Sequence, residues 1–296
     1  MDIVIAGAGA IGMLIGSYLC EAGMKVGFLV RKEEAARQIR ENGIQRIVNG
    51  KTGTFNVEAF SDPNKLPYNV PWIVAVKYAG IKPILKLLME KEMVHPILFV
   101  QNGMAHVEDA RKSGLPELYF ATVEHGAERL DVRTCSHNGV GQLKIAASKN
   151  GGIGFDFMEQ AASPNFPIDY HHSADEIILR KTLINCMINP LTAMLQVRNG
   201  ELLENPHCKT ILLQLYEEMN NGIAEMPDIL PLEDLLTVCE KTRMNHSSML
   251  KDRMNGNVME IDTIVTPILR LAKNNGKTLP TLALLEQMLH AINGRG

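Results

Sequence analysis

The chain has no lysine- or arginine-rich run, and its 30 basic residues are nearly balanced by 33 acidic ones, a formal net charge of -3. Proteins that hold nucleic acid neutralise phosphates with clustered cations, so that class of function has no electrostatic footprint here. Cysteine is scarce and scattered: Cys20, Cys135, Cys186, Cys208 and Cys239 form no CxxC and no Cys/His metal spacing. That pattern offers neither a zinc site nor a disulfide framework, and it predicts reduced, buried thiols in a cytoplasmic protein with no metal. No stretch approaches the ~18 uninterrupted apolar residues of a membrane span. The apolar start lacks the cations of a secretory leader, since Asp2 follows Met1. Internal repeats and low-complexity tracts are also missing.

What is present is concentrated at the beginning. Residues 2–6 (DIVIA) read as a buried strand that runs into Gly7-Ala8-Gly9-Ala10-Ile11-Gly12. Apolar residues at Ile11, Leu14, Ile15, Tyr18 and Leu19 then follow a helical period, Gly23 stops the helix, and 25–30 reads as a second strand. This is the strand–GxGxxG–helix–strand order of a dinucleotide-binding unit. Gly7 permits the tight turn, Gly9 lets a pyrophosphate approach the backbone, and Gly12 lets the helix lie close to the sheet. The free N–H groups of the helix start favour the phosphates.

The residue after the second strand selects the cofactor. NAD-binding strands of this kind usually end in Asp or Glu, which accept hydrogen bonds from the ribose 2′-hydroxyl. Here the strand ends in Arg31-Lys32, two cations suited to a 2′-phosphate, although Glu33 follows at once. The expected cofactor is therefore NADPH/NADP+.

Strand-like and helix-like segments alternate through the first half. Helices are expected at 33–42, 80–91 and 105–112, and strands at 72–76, 96–101 and 117–124. Residues 44–49 and 54–60 read as a hairpin around Asn49-Gly50, and 129–136 with 140–147 as an antiparallel pair. A Pro/Asn-rich connector at 163–169 ends this pattern. Beyond it, Ser173-Ala174-Asp175-Glu176 is a capping box opening a long helix, and helices are expected at 206–225, 231–244, 258–275 and 280–292. The expected fold is α/β: a Rossmann-type doubly wound sheet over 1–167, followed by an all-helical domain over 168–296. The long apolar helices of the second domain could pack a homodimer or fill the chain's own core.

Polar residues mark candidate chemistry. Lys181, Asn185 and Asn189 stand at i, i+4 and i+8 on one helix face. Asn189 precedes Pro190, which predicts a kink or break, and Asn199-Gly200 sits in a later turn. Lys77 and Asn102 lie just beyond strand ends, where open α/β sheets bind ligands. His125, after another strand, reads as a structural hydrogen-bonder. Ser247 and Ser248 begin a loop and suit either a helix cap or a carboxylate ligand.

These segments resemble the ketopantoate reductase family. The carrying motifs are GAGAIG at 7–12, VKY at 76–78, QNGM at 101–104, KTLINCMINPLTAML at 181–195, NGEL at 199–202, SSMLKD at 247–252 and EID at 260–262. The resemblance implies reduction of the C2 ketone of a small molecule, 2-dehydropantoate (ketopantoate), by NADPH to (R)-pantoate, in pantothenate and coenzyme A biosynthesis. It implies Lys181 and Glu260 as catalytic residues. Hydride arriving at C2 leaves an alkoxide, which a nearby ammonium can stabilise and protonate. Asn102, Asn185, Asn189, Asn199 and Ser248 match substrate ligands. Gly7, Ala8, Gly9, Ala10, Ile11, Gly12, Arg31, Lys77, Asn102 and Glu260 match the cofactor site. The chain departs from the family where GRxTEID is usual, reading Gly256-Asn257-Val258-Met259-Glu260-Ile261-Asp262. A related reductase of another branched 2-keto or 3-hydroxy acid is the first alternative. A non-catalytic nicotinamide sensor is the second, and no DNA-binding motif accompanies it.

Overall fold

The computed structural model describes residues 1–148 and 154–293. The chain divides into an N-terminal unit, Met1–Asn102 with His106–Ile177, and a C-terminal unit, Gly103–Ala105 with Ile178–Gly296.

Short apolar runs become the central strands of the larger sheet of the N-terminal unit because both their faces are covered. The unit's strands are β1 (Ile3–Ala6), β2 (Val26–Leu29), β3 (Ile44–Val48), β4 (Lys51–Phe55), β5 (Glu58–Phe60), β6 (Trp72–Val74), β7 (Ile97–Phe99), β8 (Leu118–Val123), β9 (Gly126–Arg129), β10 (Thr134–Gly139), β11 (Leu143–Ala147) and β12 (Ile168–His171). Helices α1 (Ala10–Glu21), α2 (Glu33–Asn42), α3 (Ile81–Glu90) and α4 (Ala105–Lys112) connect them. Eight strands form one sheet in the order β12-β11-β8-β7-β6-β1-β2-β5. Its pairs are parallel except β8 with β11, which run antiparallel. The chain moves from β1 towards β5 on one side and then from β6 towards β8 on the other. That places a topological switch point beside β1 and β6, where such sheets hold ligands.

The structure corrects several sequence expectations. The Asn49-Gly50 turn is as expected, with both residues at positive φ, 50° and 73°. Its second strand, however, starts at Lys51 and stops at Phe55. Glu58–Phe60 leaves to pair with β2 in the large sheet, where Ala59 is fully buried. The expected pairing of 129–136 with 140–147 does not occur. Asp131 turns the chain by accepting the Arg133 N–H at 2.8 Å, so β9 and β10 form a hairpin of their own. With β3 and β4 this makes a second, four-stranded sheet, β4-β3-β10-β9, while β11 joins the large one. The connector at 163–169 is also not a boundary, because β12 pairs in parallel with β11.

The small sheet is tied to α1 by a buried polar network. The Arg46 guanidinium lies 3.7 Å over the Tyr18 ring and reaches Glu21 at 2.7 Å. Tyr18 Oη meets His137 Nδ1 at 3.0 Å, and His137 Nε2 meets His125 Nδ1 at 3.1 Å. Gly141 N–H also donates to His125 Nδ1, at 3.2 Å. That nitrogen is therefore an acceptor, so His137 donates from Nε2 and accepts the Tyr18 hydroxyl proton at Nδ1.

His106, on α4, is 1% exposed among Phe99 and Phe120, and neither ring nitrogen has a partner among the described residues. Burial pushes the His106 imidazole down to about 3, and burial followed by His137 pushes His125 down to about 4. Both rings stay neutral in the folded chain, whereas unfolded histidine gains its proton near pH ~6.5. Their contribution is complete above that pH and is lost as pH falls from ~6.5 towards about 3 for His106 and about 4 for His125, by up to about 1.4 kcal/mol per pH unit for each ring. The urea midpoint should therefore fall between pH 7 and 5.5, and His106→Leu should flatten the fall. An unchanged midpoint over that range would refute the assignment of neutral rings.

The C-terminal unit contains only helices among its described elements. Helix α5 (Ala174–Leu195) begins at the expected cap, with Ser173 Oγ accepting the Glu176 N–H at 3.2 Å. The unit division falls inside α5. After it come α6 (Glu201–Glu204), α7 (Pro206–Gly222), α8 (Met226–Ile229), α9 (Leu232–Lys241), α10 (Ser248–Met254), α11 (Ile261–Asn274) and α12 (Pro280–Asn293). Their apolar faces meet in one core that includes Leu183, Met187, Leu212, Leu215, Ile264, Ile268 and Leu282. Pro190 does not break α5. The helix continues to Leu195, and Thr192 Oγ1 donates to the Ile188 carbonyl at 2.8 Å just across the proline.

Candidate active site

In the N-terminal unit the glycines of the fingerprint behave as three different parts. Gly7 lies at φ 110°, and a Cβ there would stand 3.0 Å from the Ala75 and Val76 backbone. Gly12 approaches more closely still: its Cβ would come 2.0 Å from the Gly7 carbonyl oxygen. A Cβ on Gly9 would meet nothing within 4 Å. The first two are thus demanded by packing, and the third keeps open space at the helix start. No side chain caps α1 and no acidic residue lies in its first turn, so its N–H groups suit an anion. Ala8, Ala10 and Ile11 complete this turn and are partly exposed.

Arg31 and Lys32 follow β2 and are exposed. The nearby carboxylate is already committed. Glu33 accepts from Arg40 at 2.7 Å and from the Ser61 hydroxyl at 2.5 Å, and those contacts, Arg40 first, lower its pKa. Lys77 follows β6 and is exposed. Gln101, which the sequence reading left without a role, donates its amide to the Val74 and Val76 carbonyls at 2.7 and 3.0 Å. It thereby fastens the segment before Lys77 to the segment before Asn102, which is partly buried.

In the C-terminal unit, Lys181 and Asn185 are partly buried and Asn189 is 4% exposed, one above another on α5. Asn189 Nδ2 donates to Ser248 Oγ at 3.3 Å, joining residues far apart in the chain. The expected loop at Ser247 and Ser248 is instead the start of α10, and the two hydroxyls divide the work. Ser247 is the cap, accepting the Leu250 N–H at 3.1 Å, while Ser248 stands exposed beside Asn189. Asn199 is 7% exposed and is used differently from the α5 amides. Its Nδ2 donates to Thr242 Oγ1 at 2.9 Å and its N–H to the Asn245 carbonyl at 3.1 Å, tying the NGEL turn to the segment before α10. Glu260 precedes α11, and its carbonyl accepts the Thr263 hydroxyl at 3.2 Å. The glycine of QNGM belongs here: a Cβ on Gly103 would fall 1.9 Å from the Thr263 carbonyl, and Met104 N–H donates to that same oxygen at 3.0 Å.

Each unit also matches a family model. Residues 3–150 match "Ketopantoate reductase PanE/ApbA", and 173–293 match its C-terminal counterpart. A 2-dehydropantoate 2-reductase of Listeria innocua is 34% identical over 302 residues, covering 99% of this chain and 97% of that one. This chain belongs to the ketopantoate reductase family. It is an oxidoreductase with a Rossmann-type fold. The crystal structure of a probable 2-dehydropantoate 2-reductase from Bacillus subtilis superposes with a TM-score of 0.86 at 28% identity, over 99% of this chain and all of that one. D-mandelate dehydrogenase, solved with NADH and anilino(oxo)acetate, has a TM-score of 0.83 at 23% identity and shares the fold, covering 100% of this chain and 99% of that one. The relatives named 2-dehydropantoate 2-reductase act on a small molecule.

Proposed function

We propose that this ketopantoate reductase family member reduces 2-dehydropantoate to (R)-pantoate with NADPH, in the route to pantothenate and coenzyme A. The observation that carries this reading is the polar stripe of α5, where Lys181, Asn185 and Asn189 share a face and Asn189 is bonded to Ser248. Amides offer donors and an acceptor together, which suits a ligand bearing keto, hydroxyl and carboxylate groups. Asn102, Asn185, Asn189 and Asn199 are assigned to substrate binding and Ser248 to its carboxylate. Asn199 acts in part through the Thr242–Asn245 segment it holds.

The open space at Gly9 and the uncapped start of α1 fit a pyrophosphate. Bound NADPH supplies the hydride. Residues 7–12 hold its phosphates, Arg31 its 2′-phosphate, and Lys77, Asn102 and Glu260 the remainder of the molecule. As hydride reaches C2, the Lys181 ammonium donates its proton to the developing alkoxide oxygen, and Glu260 supports the lysine. NADPH is preferred to NADH because Glu33, the carboxylate that could serve a ribose hydroxyl, is engaged by Arg40 and Ser61.

The deciding experiment follows NADPH absorbance on adding ketopantoate, with NADH and a simpler branched 2-keto acid in parallel. Rapid oxidation with ketopantoate and NADPH alone supports the proposal. Turnover only with another keto acid would overturn the substrate and direct attention to the altered segment before Glu260. Arg31→Ala should weaken NADPH by about tenfold and NADH by less than about twofold, because it deletes a charge-assisted contact to the 2′-phosphate. Equal losses for both cofactors would assign Arg31 to the fold.

A further inference from the structure

Two hydroxyls behind the substrate pair have no assigned role. Thr192 is fully buried on α5, Ser247 is 5% exposed, and their oxygens lie 2.7 Å apart. Proton bookkeeping gives this contact a direction. Thr192 Oγ1 has the Ile188 carbonyl at 2.8 Å and the Asn189 carbonyl at 3.2 Å, so its single proton is spent on α5. The Ser247 proton therefore goes to Thr192, and Ser247 Oγ accepts the Leu250 N–H at 3.1 Å. A continuous chain runs from the first turn of α10, through Ser247 and Thr192, into the backbone of α5.

The neighbours of this chain are the proposed substrate ligands. Asn189 lies three residues before Thr192 on the same helix, and Ser248 immediately follows Ser247. Asn189 Nδ2 and Ser248 Oγ are 3.3 Å apart, a long contact that would not by itself hold an exposed serine in place. We propose that Thr192 and Ser247 are positioning residues, a buried hydroxyl latch that locks the start of α10 onto α5 so that Ser248 stands beside Asn189 to receive the substrate carboxylate. This inference rests on the proposed role of Ser248. A threonine that only bonds its own helix backbone gives a helix no advantage. Here its oxygen also receives an outside donor, which valine of the same shape could not accept.

The test is a set of variants assayed for ketopantoate kcat and KM at saturating NADPH, with NADPH affinity measured separately by fluorescence. Thr192→Val and Ser247→Ala should each raise KM about tenfold, as expected of coupled contacts. NADPH affinity should not change, and Thr192→Ser should restore KM because it keeps the hydroxyl. Thr192→Val combined with Ser248→Ala should add less than about twofold to the loss of Ser248→Ala alone, since both act through one ligand. Should Thr192→Val fail to fold, Ser247→Ala with Ser248→Ala completes the same cycle from the other end of the latch. Full multiplication of the two losses, or an unchanged KM with only a lower Tm, would overturn the inference and reduce the pair to a helix cap. An unchanged KM in Ser248→Ala itself would instead remove the carboxylate role of Ser248, and the latch would fall with it.

Discussion

Replacing Lys181 with alanine is expected to lower ketopantoate turnover by about 10²–10⁴-fold, the range a positioned general acid contributes. That corresponds to roughly 3–5 kcal/mol of barrier. The lysine stands two helical turns before Asn189 on the face that carries Asn185, so its removal takes away the one ammonium of that stripe. Lys181 is assigned to the developing alkoxide and not to the cofactor, so NADPH affinity should be retained. The loss should appear in kcat and kcat/KM together, as for an interaction made in the transition state. Steady-state kinetics with a parallel NADPH titration would check this, and an unchanged kcat would remove Lys181 from the mechanism.

The second large effect separates two glycines three residues apart. Gly12→Ala should destabilise the protein by about 1–3 kcal/mol or more, because the new methyl meets backbone rather than a movable side chain. The clash is with the Gly7 carbonyl oxygen at 2.0 Å. Gly9→Ala should leave Tm nearly unchanged, since its φ of -83° suits alanine and nothing lies within 4 Å of the added carbon. It should nevertheless weaken NADPH about 10–100-fold, by standing where the pyrophosphate must approach N–H groups. Thermal melts and NADPH titrations of the two variants form a crossed test. A stable Gly12→Ala protein, or a Gly9→Ala protein that binds NADPH normally, would contradict the division of roles.

Much of this was legible in one dimension because the signals are local. The β1–α1–β2 unit follows from an apolar run, spaced glycines and a helical period, all within one short segment. The Lys181, Asn185 and Asn189 stripe follows from helix geometry alone, and the capping box at Ser173 from one side chain and one N–H. The errors share a different cause. Whether Glu58–Phe60 pairs with β4 or β2, and whether β10 pairs with β11 or with β9 and β3, depends on distant partners competing for the same backbone groups. Local pattern is blind to that competition. Thr192 and Gln101 were missed because a helical threonine and a loop glutamine carry no distinctive signal until their partners are known.

The sequence by itself determined the class of fold, the nucleotide fingerprint, the cationic end of β2 and the membership of one helix face, because each depends on residues within a few turns of one another. Only the tertiary structure decided which strands share a sheet, that Arg40 and Ser61 occupy Glu33, that Ser247 caps while Ser248 is presented to Asn189, and that the Thr192 and Ser247 hydroxyls meet. Several of those outcomes rest on hydrogen bonds between groups far apart in the chain, such as Ser61 to Glu33 over 28 residues and Asn189 to Ser248 over 59. Such bonds exist only after burial has brought their elements together, since an isolated pair in water gains too little to offset the entropy of closing so long a loop.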